Sequence, residues 1–545
     1  MRLILDWPDD VNRRTTLIFV LVAAGLAVFL VMVYGGQPLY TDVYYHLNVA
    51  NRLIDGHGMT ETYLWNYTNA PAPMSGAWAV PSHAYWMPLT SLMAAAGMAF
   101  TGAHGSYAAA QLPFVLAVWG IGLIGFAAGA RLGRTSLLAW VAGLLTLLSP
   151  FYARVWGAID STTPFALAGS ACVLILGGLL AVKRAPRAMW LWWAAAGALA
   201  ALAHLARPDG VILLGVGGLT ALISARRARR WGGLWVLLPL VIGYLACMTP
   251  WFMRNLQESG TILPAGGLQG VFFTEYDDLF AWPPVTGPGQ FLDKLGWNGV
   301  VSTRLAALFG QGDGLISGNF GTFLAVEGMI FLAPLMIFGL VNRWRDPFLW
   351  PFMLAALFIH LVMTVVFPFA GYRGGLLHSA GALVPFWAAL GAVGLSDVIR
   401  WIAKRRRTWH YERALPVFAG GLVALALLML FALGARGITG PSAAELALYS
   451  ELDARLPPGA RVFSADPPAL YYYTGRGGAV LPNSPQDTLA ELAERYDIRF
   501  ALIAKDGLPS QLADIWAAPA PFLEPVPSDL TEGRLYAILA QPAGS

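Results

Sequence analysis

The segment YTDVYYHLNVANRL (residues 40–53) opens a polar stretch that closes with VPSHAYWMPL (residues 80–89) and lies between the first two long apolar runs. In a chain that is otherwise mostly apolar, this stretch has the densest group of residues able to move protons or bind a polar ligand. Asp42 follows the first apolar run by only a few residues. We therefore expect its carboxylate at the membrane–water boundary, where it can meet a lipid headgroup and a water-soluble molecule together.

The composition is typical of a polytopic membrane protein. Of the 545 residues, 57% are hydrophobic and only 12% are charged, whereas a soluble domain has about 25% charged residues. The net charge of +4 does not indicate nucleic-acid binding, because the basic residues follow the membrane topology described below. Cys172 and Cys247 both lie in apolar runs, which indicates buried side chains and neither a disulfide framework nor a metal site.

The apolar runs predict about 11 transmembrane helices, and the first is predicted to be retained because no small-residue cleavage site follows it. Basic clusters follow alternate spans, and short basic loops stay cytoplasmic. The N-terminus is therefore predicted to be cytoplasmic, with loops 35–107 and 254–321 and the C-terminal tail on the outer side. Eight of the predicted spans lie at about residues 16–34, 108–130, 136–149, 164–182, 189–206, 234–251, 347–369 and 415–433, and the sixth, eighth and tenth end at the basic residues Arg226, Arg343 and Lys404.

Two domains are predicted. Residues 1–436 form the transmembrane domain, and residues 437–545 alternate helical patterns with short β-rich runs. The alternation predicts a small extracytoplasmic α/β domain with a mostly parallel sheet. It has no glycine fingerprint for a dinucleotide, so a Rossmann-type cofactor is not expected.

Two carboxylates are candidates for catalysis. Asp42 could act as a general base toward a hydroxyl or an amine, or it could cap a helix that begins near Val43. Asp160 lies in the next loop on the same predicted side, just before a span that begins with Ser, Thr, Thr and Pro. It could be the second acid of the site or part of the N-terminal cap of that span. The pattern leaves both alternatives open for each residue.

Basic residues at the outer ends of predicted spans run against the topological bias, and a cation at that depth needs a carboxylate, a carbonyl or an anionic ligand. Arg207 has Asp209 nearby, which predicts an internal ion pair. Arg254 ends its span, whereas Arg373 lies in a glycine-flanked turn without an acidic neighbour in sequence. Arg373 is therefore the better candidate for binding a phosphate.

The other polar candidates are open to plain structural explanations. His83 could bind a phosphate or relay a proton, or it could be a structural residue at the interface. Tyr85 belongs to a group of aromatics that could stack on a sugar or belong to a membrane-interface belt. The acidic run Glu275–Asp278 could bind a divalent cation, but its spacing is not that of a calcium loop, and a solvated acidic loop explains it as well.

Several segments in order resemble the C-type glycosyltransferase (GT-C) superfamily, in particular bacterial proteins similar to protein O-mannosyltransferases and aminoarabinose transferases. The first is the loop acid Asp42 with the aromatic, proline-bounded segment after it. The others are ALAHLARPDGVILL (201–214), TPWFMRNLQESG (249–260), YRGGLLHSAGALVPF (372–386) and, in the tail, SADPPALYYYTGRGGAVLPN (464–483) and RYDIRFALIAK (495–505). The resemblance extends over nearly the whole chain.

The resemblance implies an inverting glycosyltransferase of a bacterial-type plasma membrane. It would move a hexose or pentose from a polyprenyl-phosphate donor to a protein, lipid or glycan acceptor on the outer face, and neither a divalent metal nor nucleic acid is expected. Asp42 would be the base and Asp160 a second catalytic acid. The residues that would bind substrate are His83, Tyr85, Arg254, Arg373 and His378.

A transporter or a catalytically silent scaffold on the same fold is the alternative. Transporters place ionisable residues within their spans and often contain inverted repeats. His204, Glu327 and His360 lie within predicted spans, but the sequence shows no internal repeat.

Overall fold

The computed structural model describes residues 8, 10–68, 78–182, 188–228, 231–264, 269–285, 287–310, 318–434, 443–504, 508–527 and 533–539. The basic clusters that follow alternate spans include residues outside these ranges, among them Arg184 and Arg230. The described residues are mostly helical. The helices are α1 (Arg13–Tyr34), α2 (Thr41–Ile54), α3 (Leu89–Thr101), α4 (Tyr107–Ala110), α5 (Leu112–Gly133), α6 (Ser136–Leu147), α7 (Thr162–Ala181), α8 (Met189–Ala206), α9 (Val211–Arg227), α10 (Leu237–Ser259), α11 (Pro288–Phe309), α12 (Gly318–Thr322), α13 (Ala333–Arg343), α14 (Trp350–Leu361), α15 (Pro368–Ala370), α16 (Leu376–Ala380), α17 (Val384–Ala403), α18 (Tyr411–Gly434), α19 (Ala443–Arg455), α20 (Pro467–Thr474) and α21 (Asp487–Tyr496).

The chain is an integral membrane protein, because the described residues include nine helices long and apolar enough to cross a bilayer. Two of the predicted spans do not reach that length. Helix α6 has 12 residues, and the run that ends at Arg343 is interrupted where Met329 and Ile330 adopt positive φ. The nine spans are Arg13–Tyr34, Tyr107–Gly133, Thr162–Ala181, Met189–Ala206, Pro208–Arg227, Gly233–Ser259, Pro347–Val366, Val384–Ala403 and Tyr411–Gly434.

Helix α17 lies in the middle of the helical part, and its residues from Val384 to Ser396 are all buried. It packs on α5, α6 and α13. A Cβ at Gly394 would lie 2.0 Å from the carbonyl oxygen of Leu335, and one at Gly339 would lie 2.2 Å from that of Leu390. Glycines on both helices thus bring the backbones of α13 and α17 together, as is common where membrane helices pack closely.

Three segments have π-helical hydrogen bonding: Phe323–Glu327, Val362–Val366 and Gly371–Gly375. The last two follow each other closely between α14 and α16. Such segments break the regular spacing of side chains on a helix and are frequent at functional sites. The predicted turn around Arg373 is therefore an irregular helical segment.

The strands are β1 (Thr60–Glu61), β2 (Tyr63–Leu64), β3 (Val80–Pro81), β4 (Val462–Ser464), β5 (Gly478–Val480), β6 (Phe500–Ala504), β7 (Leu523–Pro525) and β8 (Gly533–Ile538). Strand β2 of the first polar loop and the five described strands of the tail form one sheet with the order β2-β5-β4-β6-β8-β7. The β2-β5, β5-β4 and β4-β6 pairs are parallel, and β8 pairs antiparallel with β6 and β7. The first polar loop and the tail therefore fold together.

Helix α20 docks the tail on α2. The amide of Asn48 donates to the carbonyl of Pro468 at 2.8 Å. The hydroxyl oxygens of Tyr44 and Tyr473 are 3.0 Å apart. The tail therefore contacts the helix that bears Asp42.

Candidate functional site

Asp42 lies in the first turn of α2, where the partial positive charge of the helix N-terminus favours a carboxylate. Burial and then the charge of Asp160 raise the pKa of Asp42 to about 7, while a hydrogen bond with Trp86 and the charge of Arg207 oppose the shift. Near neutral pH the residue is therefore divided between acid and carboxylate. This protonation behaviour suits a general base.

Asp160 lies beside Asp42, and the two carboxyl groups couple electrostatically. Asp160 is fully buried. Its Oδ1 accepts the backbone N–H of Thr162 at 2.8 Å, and its Oδ2 accepts the hydroxyls of Thr162 and Tyr40. Asp160 therefore fixes the start of α7 and also lies in the site. The two alternatives from the sequence, a residue of the site and a part of the helix cap, are thus compatible. The role of Asp160 as a catalytic acid stays a prediction.

His378 reaches Asp160 through Thr162. Its Nδ1 lies 2.6 Å from the Thr162 hydroxyl and 3.6 Å from Asp160 Oδ2. Burial lowers the pKa of His378, while the charge of Asp160 opposes this effect. The other ring nitrogen faces the segment that bears Arg373, since a Cβ at Gly374 would lie 3.9 Å from Nε2.

Arg207 ties two parts of the site together. It pairs with Asp209 at 3.0 Å, which confirms the predicted internal ion pair. Its other hydrogen bonds go to Ser161 Oγ, Ser379 Oγ and the carbonyl of Gly375, each at 3.2 Å. The guanidinium thus holds the segment after Asp160 against the end of the segment Gly371–Gly375.

Arg373 lies in the π-helical segment Gly371–Gly375 and is exposed. The next residue, Gly374, has φ of 118°, a conformation that strongly favours glycine. The Arg373 guanidinium lies over the ring of Tyr276, 4.9 Å from its centroid. Tyr276 couples electrostatically to both Asp42 and Arg373. One tyrosine therefore borders both the candidate base and the candidate phosphate-binding cation.

Tyr85 is also at the site. Its ring centroid lies 5.2 Å from that of Trp65 and 5.5 Å from that of Trp86. The charge of Asp42 and the hydroxyl of Tyr276 both act on the Tyr85 hydroxyl. The structure therefore brings together five of the seven predicted site residues: Asp42, Tyr85, Asp160, Arg373 and His378.

His83 does not fit its predicted role in substrate binding. It is fully buried, and its ring nitrogens lie 2.8 Å from Ser82 Oγ and 3.1 Å from Ser91 Oγ. Burial, followed by the charges of His46 and Arg254, lowers the pKa of His83 well below its ordinary value. A neutral imidazole with both nitrogens occupied supports the local packing and is not a cation for a phosphate.

Arg254 is held by the first polar loop. It donates to the carbonyls of Ser82 at 2.8 Å and Met59 at 3.2 Å, and it lies over the ring of Trp251. The guanidinium therefore fastens that loop to the end of α10. Its role in substrate binding stays a prediction, with part of its hydrogen-bonding capacity already used.

Sequence reasoning missed several residues of the site. Tyr40 and Thr162 bind Asp160, and Trp86 bonds to Asp42. Asp466, in the tail, accepts the hydroxyl of Thr41 at 2.7 Å and raises the pKa of Asp42. The sequence signals for Asp466 are its place in the segment 464–483 quoted above and its position before Pro467 and Pro468, which indicates a helix start. Neither signal indicates proximity to Asp42.

The acidic run Glu275–Asp278 forms a capping box at the start of the short helix Tyr276–Phe280. Lys294 lies 3.8 Å from Glu275 and 3.6 Å from Asp278. Capping and ion pairing account for the carboxylates of Glu275 and Asp278. In the part of the chain that the structure describes, no group of three or more His, Cys, Asp or Glu side chains is arranged to hold a metal ion.

Comparisons with known proteins give matches among solved structures. No protein-family model and no curated protein matches the chain. The oligosaccharyltransferase AglB from Archaeoglobus fulgidus, in complex with an inhibitory peptide and a dolichol-phosphate, matches with a TM-score of 0.55 and 11% identity over 90% of this chain and 69% of AglB. ArnT from Cupriavidus metallidurans, bound to undecaprenyl phosphate, matches with a TM-score of 0.52 and 15% identity over 96% of this chain and 99% of ArnT. At these identities the likeness shows the fold alone.

Proposed function

We propose that this chain, which has the fold of the C-type glycosyltransferase (GT-C) superfamily, is a membrane glycosyltransferase. It moves a sugar, with inversion, from a polyprenyl-phosphate donor to an acceptor on the outer face of the membrane. The acceptor is a protein, a lipid or a glycan. The membrane is a bacterial-type plasma membrane, with the N-terminus in the cytoplasm and residues 437–545 outside.

One observation carries this proposal: Asp42, a carboxylate with a pKa of about 7, and Arg373, an exposed guanidinium, both interact with Tyr276. The charges of Asp42 and Arg373 act on the Tyr276 hydroxyl in opposite directions. The Arg373 guanidinium also lies over the Tyr276 ring. Transfer from a sugar phosphate needs a proton acceptor near the nucleophile and positive charge near the leaving phosphate. The solved structures with this fold contain dolichol-phosphate and undecaprenyl phosphate, which supports a lipid phosphate as the donor's leaving group.

The reaction is a single displacement. Asp42 accepts the proton of the acceptor hydroxyl or amine as that oxygen or nitrogen forms a bond to the anomeric carbon. The bond from the anomeric carbon to the phosphate oxygen breaks, and the phosphate leaves with the electron pair. Arg373 binds the phosphate oxygens, and His378 lies beside the segment that holds Arg373. Attack opposite the leaving group inverts the anomeric centre, and no covalent enzyme intermediate is needed.

Asp160 fits a positioning role in this scheme. Its oxygens accept hydrogen bonds from Tyr40 and Thr162, and Thr162 in turn contacts His378. Asp160 thereby orients the imidazole, and its charge keeps the pKa of Asp42 high. Since protein donors already occupy both oxygens of Asp160, we propose that transfer does not depend on a divalent metal.

Polar residues inside the spans do not favour the alternative of transport. The Nδ1 of His204 lies 2.6 Å from the Tyr244 hydroxyl. Glu327 is fully buried and accepts from Trp387 at 2.6 Å, with His360 at 2.9 Å. Packing and mutual hydrogen bonds account for these groups, as expected for structural polar residues between membrane helices.

The function is tested with purified protein in lipid nanodiscs, a panel of undecaprenyl-phosphate-linked hexoses, pentoses and amino sugars, and a mixture of candidate protein, lipid and glycan acceptors. Release of undecaprenyl phosphate, followed by mass spectrometry, reports turnover. We expect release with at least one donor and binding of undecaprenyl phosphate itself. Absence of both would overturn the proposal, and a protein-dependent flux of solute across sealed vesicles would favour the transporter.

The pH dependence of transfer follows from the Asp42 carboxyl. Its pKa is raised to about 7, and only the carboxylate form can accept the acceptor's proton. We therefore expect kcat/KM to rise with pH between about 6 and 8. Measurement at constant ionic strength checks this rise, and a rate independent of pH over that range would contradict the assignment of Asp42 as the base.

Substitution of Asp466 should move this pH profile. The charge of Asp466 raises the pKa of Asp42, so Asp466→Asn should shift the rise to lower pH, by no more than about one unit. The amide can still accept from Thr41 and cap α20. Asp487→Asn is the matched control, because Asp487 is an exposed carboxylate in the first turn of another tail helix, α21. Equal profiles for the two variants would show that the tail has no electrostatic effect on the site.

A further inference from the structure

Helix α11, in the connection between α10 and α12, has two halves of different character. They meet at Gly296, whose φ of 59° interrupts the helix. The first half is polar, and its Lys294 pairs with Glu275 and Asp278. The second half, residues 297–309, has Arg304 as its only charged residue.

The second half presents a row of large apolar side chains to its surroundings. Trp297 is 75% exposed, Val301 57%, Leu305 51% and Phe309 59%. Residues four apart lie on the same face of a helix, so these side chains form one continuous stripe over three turns. Exposed apolar area of this kind marks a contact with a membrane or another molecule.

The flank of this half-helix that carries Arg304 rests against a membrane span. Arg304 Nε donates to the carbonyl oxygen of Val365 at 3.2 Å, and Val365 belongs to the span Pro347–Val366 and is itself 47% exposed. The ring of Phe309 lies 6.4 Å from that of Phe320, another exposed apolar residue. The stripe therefore adjoins exposed apolar side chains of both α12 and the span.

We propose that residues 297–309 of α11 are inserted in the hydrocarbon of the bilayer, with the apolar stripe against lipid acyl chains. The helix is too short to cross, so it enters from the side of the first polar loop. Trp297, at the start of the half-helix, lies at the interfacial level that tryptophan favours. Amphipathic helices in this position bury the apolar face about 5–10 Å into the bilayer.

The inserted half-helix also fixes the connection that carries Tyr276. Lys294, just before the break at Gly296, holds Glu275 and Asp278 on either side of Tyr276. The position of the half-helix in the bilayer thereby sets the depth of Tyr276, whose ring lies under the Arg373 guanidinium. This inference concerns lipid contact and does not depend on the proposed reaction.

Fluorescence quenching tests the insertion. The native cysteines are Cys172 and Cys247, so Leu305→Cys in a Cys172→Ala/Cys247→Ala background offers one thiol for an environment-sensitive dye. The full chain is reconstituted in phosphatidylcholine vesicles with or without brominated acyl chains. We expect bromine to quench the Leu305 label at least about twofold more than aqueous iodide does.

Asp293→Cys, in the polar half of the same helix, is the matched control and should show the reverse preference. Quenching of the Leu305 label by iodide alone would overturn the proposal, because it would place the stripe in water. Quenching by neither agent would also overturn it, because protein would then cover the stripe. Val301→Cys, one turn away on the same face, repeats the test if Leu305→Cys does not fold.

Discussion

The Asp42→Asn variant is expected to transfer sugar about 10²- to 10⁴-fold more slowly than the native protein, the usual contribution of general-base assistance. The amide has the shape of the carboxylate but cannot accept the acceptor's proton. Binding of undecaprenyl phosphate should persist, because the proposed phosphate site is at Arg373. Turnover is measured as released undecaprenyl phosphate, and binding by native mass spectrometry.

Asp55→Asn is the matched control for this experiment. Asp55 follows the last turn of the same helix, α2, and is exposed. Loss of the Asp55 carboxylate should leave turnover unchanged. Transfer by Asp42→Asn at the native rate would remove Asp42 from the chemistry, while equal losses in both variants would point to damage to α2.

The spans could be predicted from the sequence because a bilayer imposes a minimum length on apolar helices. Two predicted spans do not form helices of that length in the structure. Residues 136–147 are apolar but form a helix of only 12 residues. The run before Arg343 has enough apolar residues, but backbone conformations at Met329 and Ile330 break it, and hydropathy contains no information on such breaks.

The joining of the first polar loop to the tail could not be predicted in the same way. Strand β2 has only two residues, Tyr63 and Leu64, and pairs with Gly478 and Ala479 more than 400 positions later. A pair of residues has no periodicity to read. The domain boundary at residue 437 was drawn from the change in composition, which does not show that the sheet takes a strand from the loop.

Within the site, position beside a predicted span identified site residues better than side-chain chemistry alone. Asp42 is predicted from its place at the membrane–water boundary and Arg373 from the cost of a cation at the outer end of a span, and the structure places both close to Tyr276. His83 is a candidate through its chemistry alone, and its nitrogens are occupied by Ser82 and Ser91. Hydrogen bonds of this kind are set by tertiary contacts, which a single sequence does not display.

The largest effect on donor binding is expected from Arg373→Ala. Charge-assisted hydrogen bonds to a phosphate are strong, and their loss should weaken the binding of undecaprenyl phosphate by about 10- to 100-fold. Arg373→Lys should retain part of the affinity, because it keeps the charge but loses the planar fork that can hold two phosphate oxygens. Titration of the lipid into protein in nanodiscs measures both changes.

Arg345→Ala is the matched control, because the Arg345 guanidinium also lies over an aromatic ring, 5.0 Å from the centroid of Trp344, at the other end of the span Pro347–Val366 from Arg373. Its affinity for the lipid should equal that of the native protein, which would separate phosphate binding from the general effect of removing a ring-stacked cation.

A density map with bound undecaprenyl phosphate then locates the anion directly. Phosphate density beside Arg254 or His83, and beyond one water-bridged contact from Arg373, would contradict the assignment. Since the imidazole of His83 is buried and held at both nitrogens, and Arg254 already donates to two carbonyls, the exposed guanidinium of Arg373 is where we expect the phosphate.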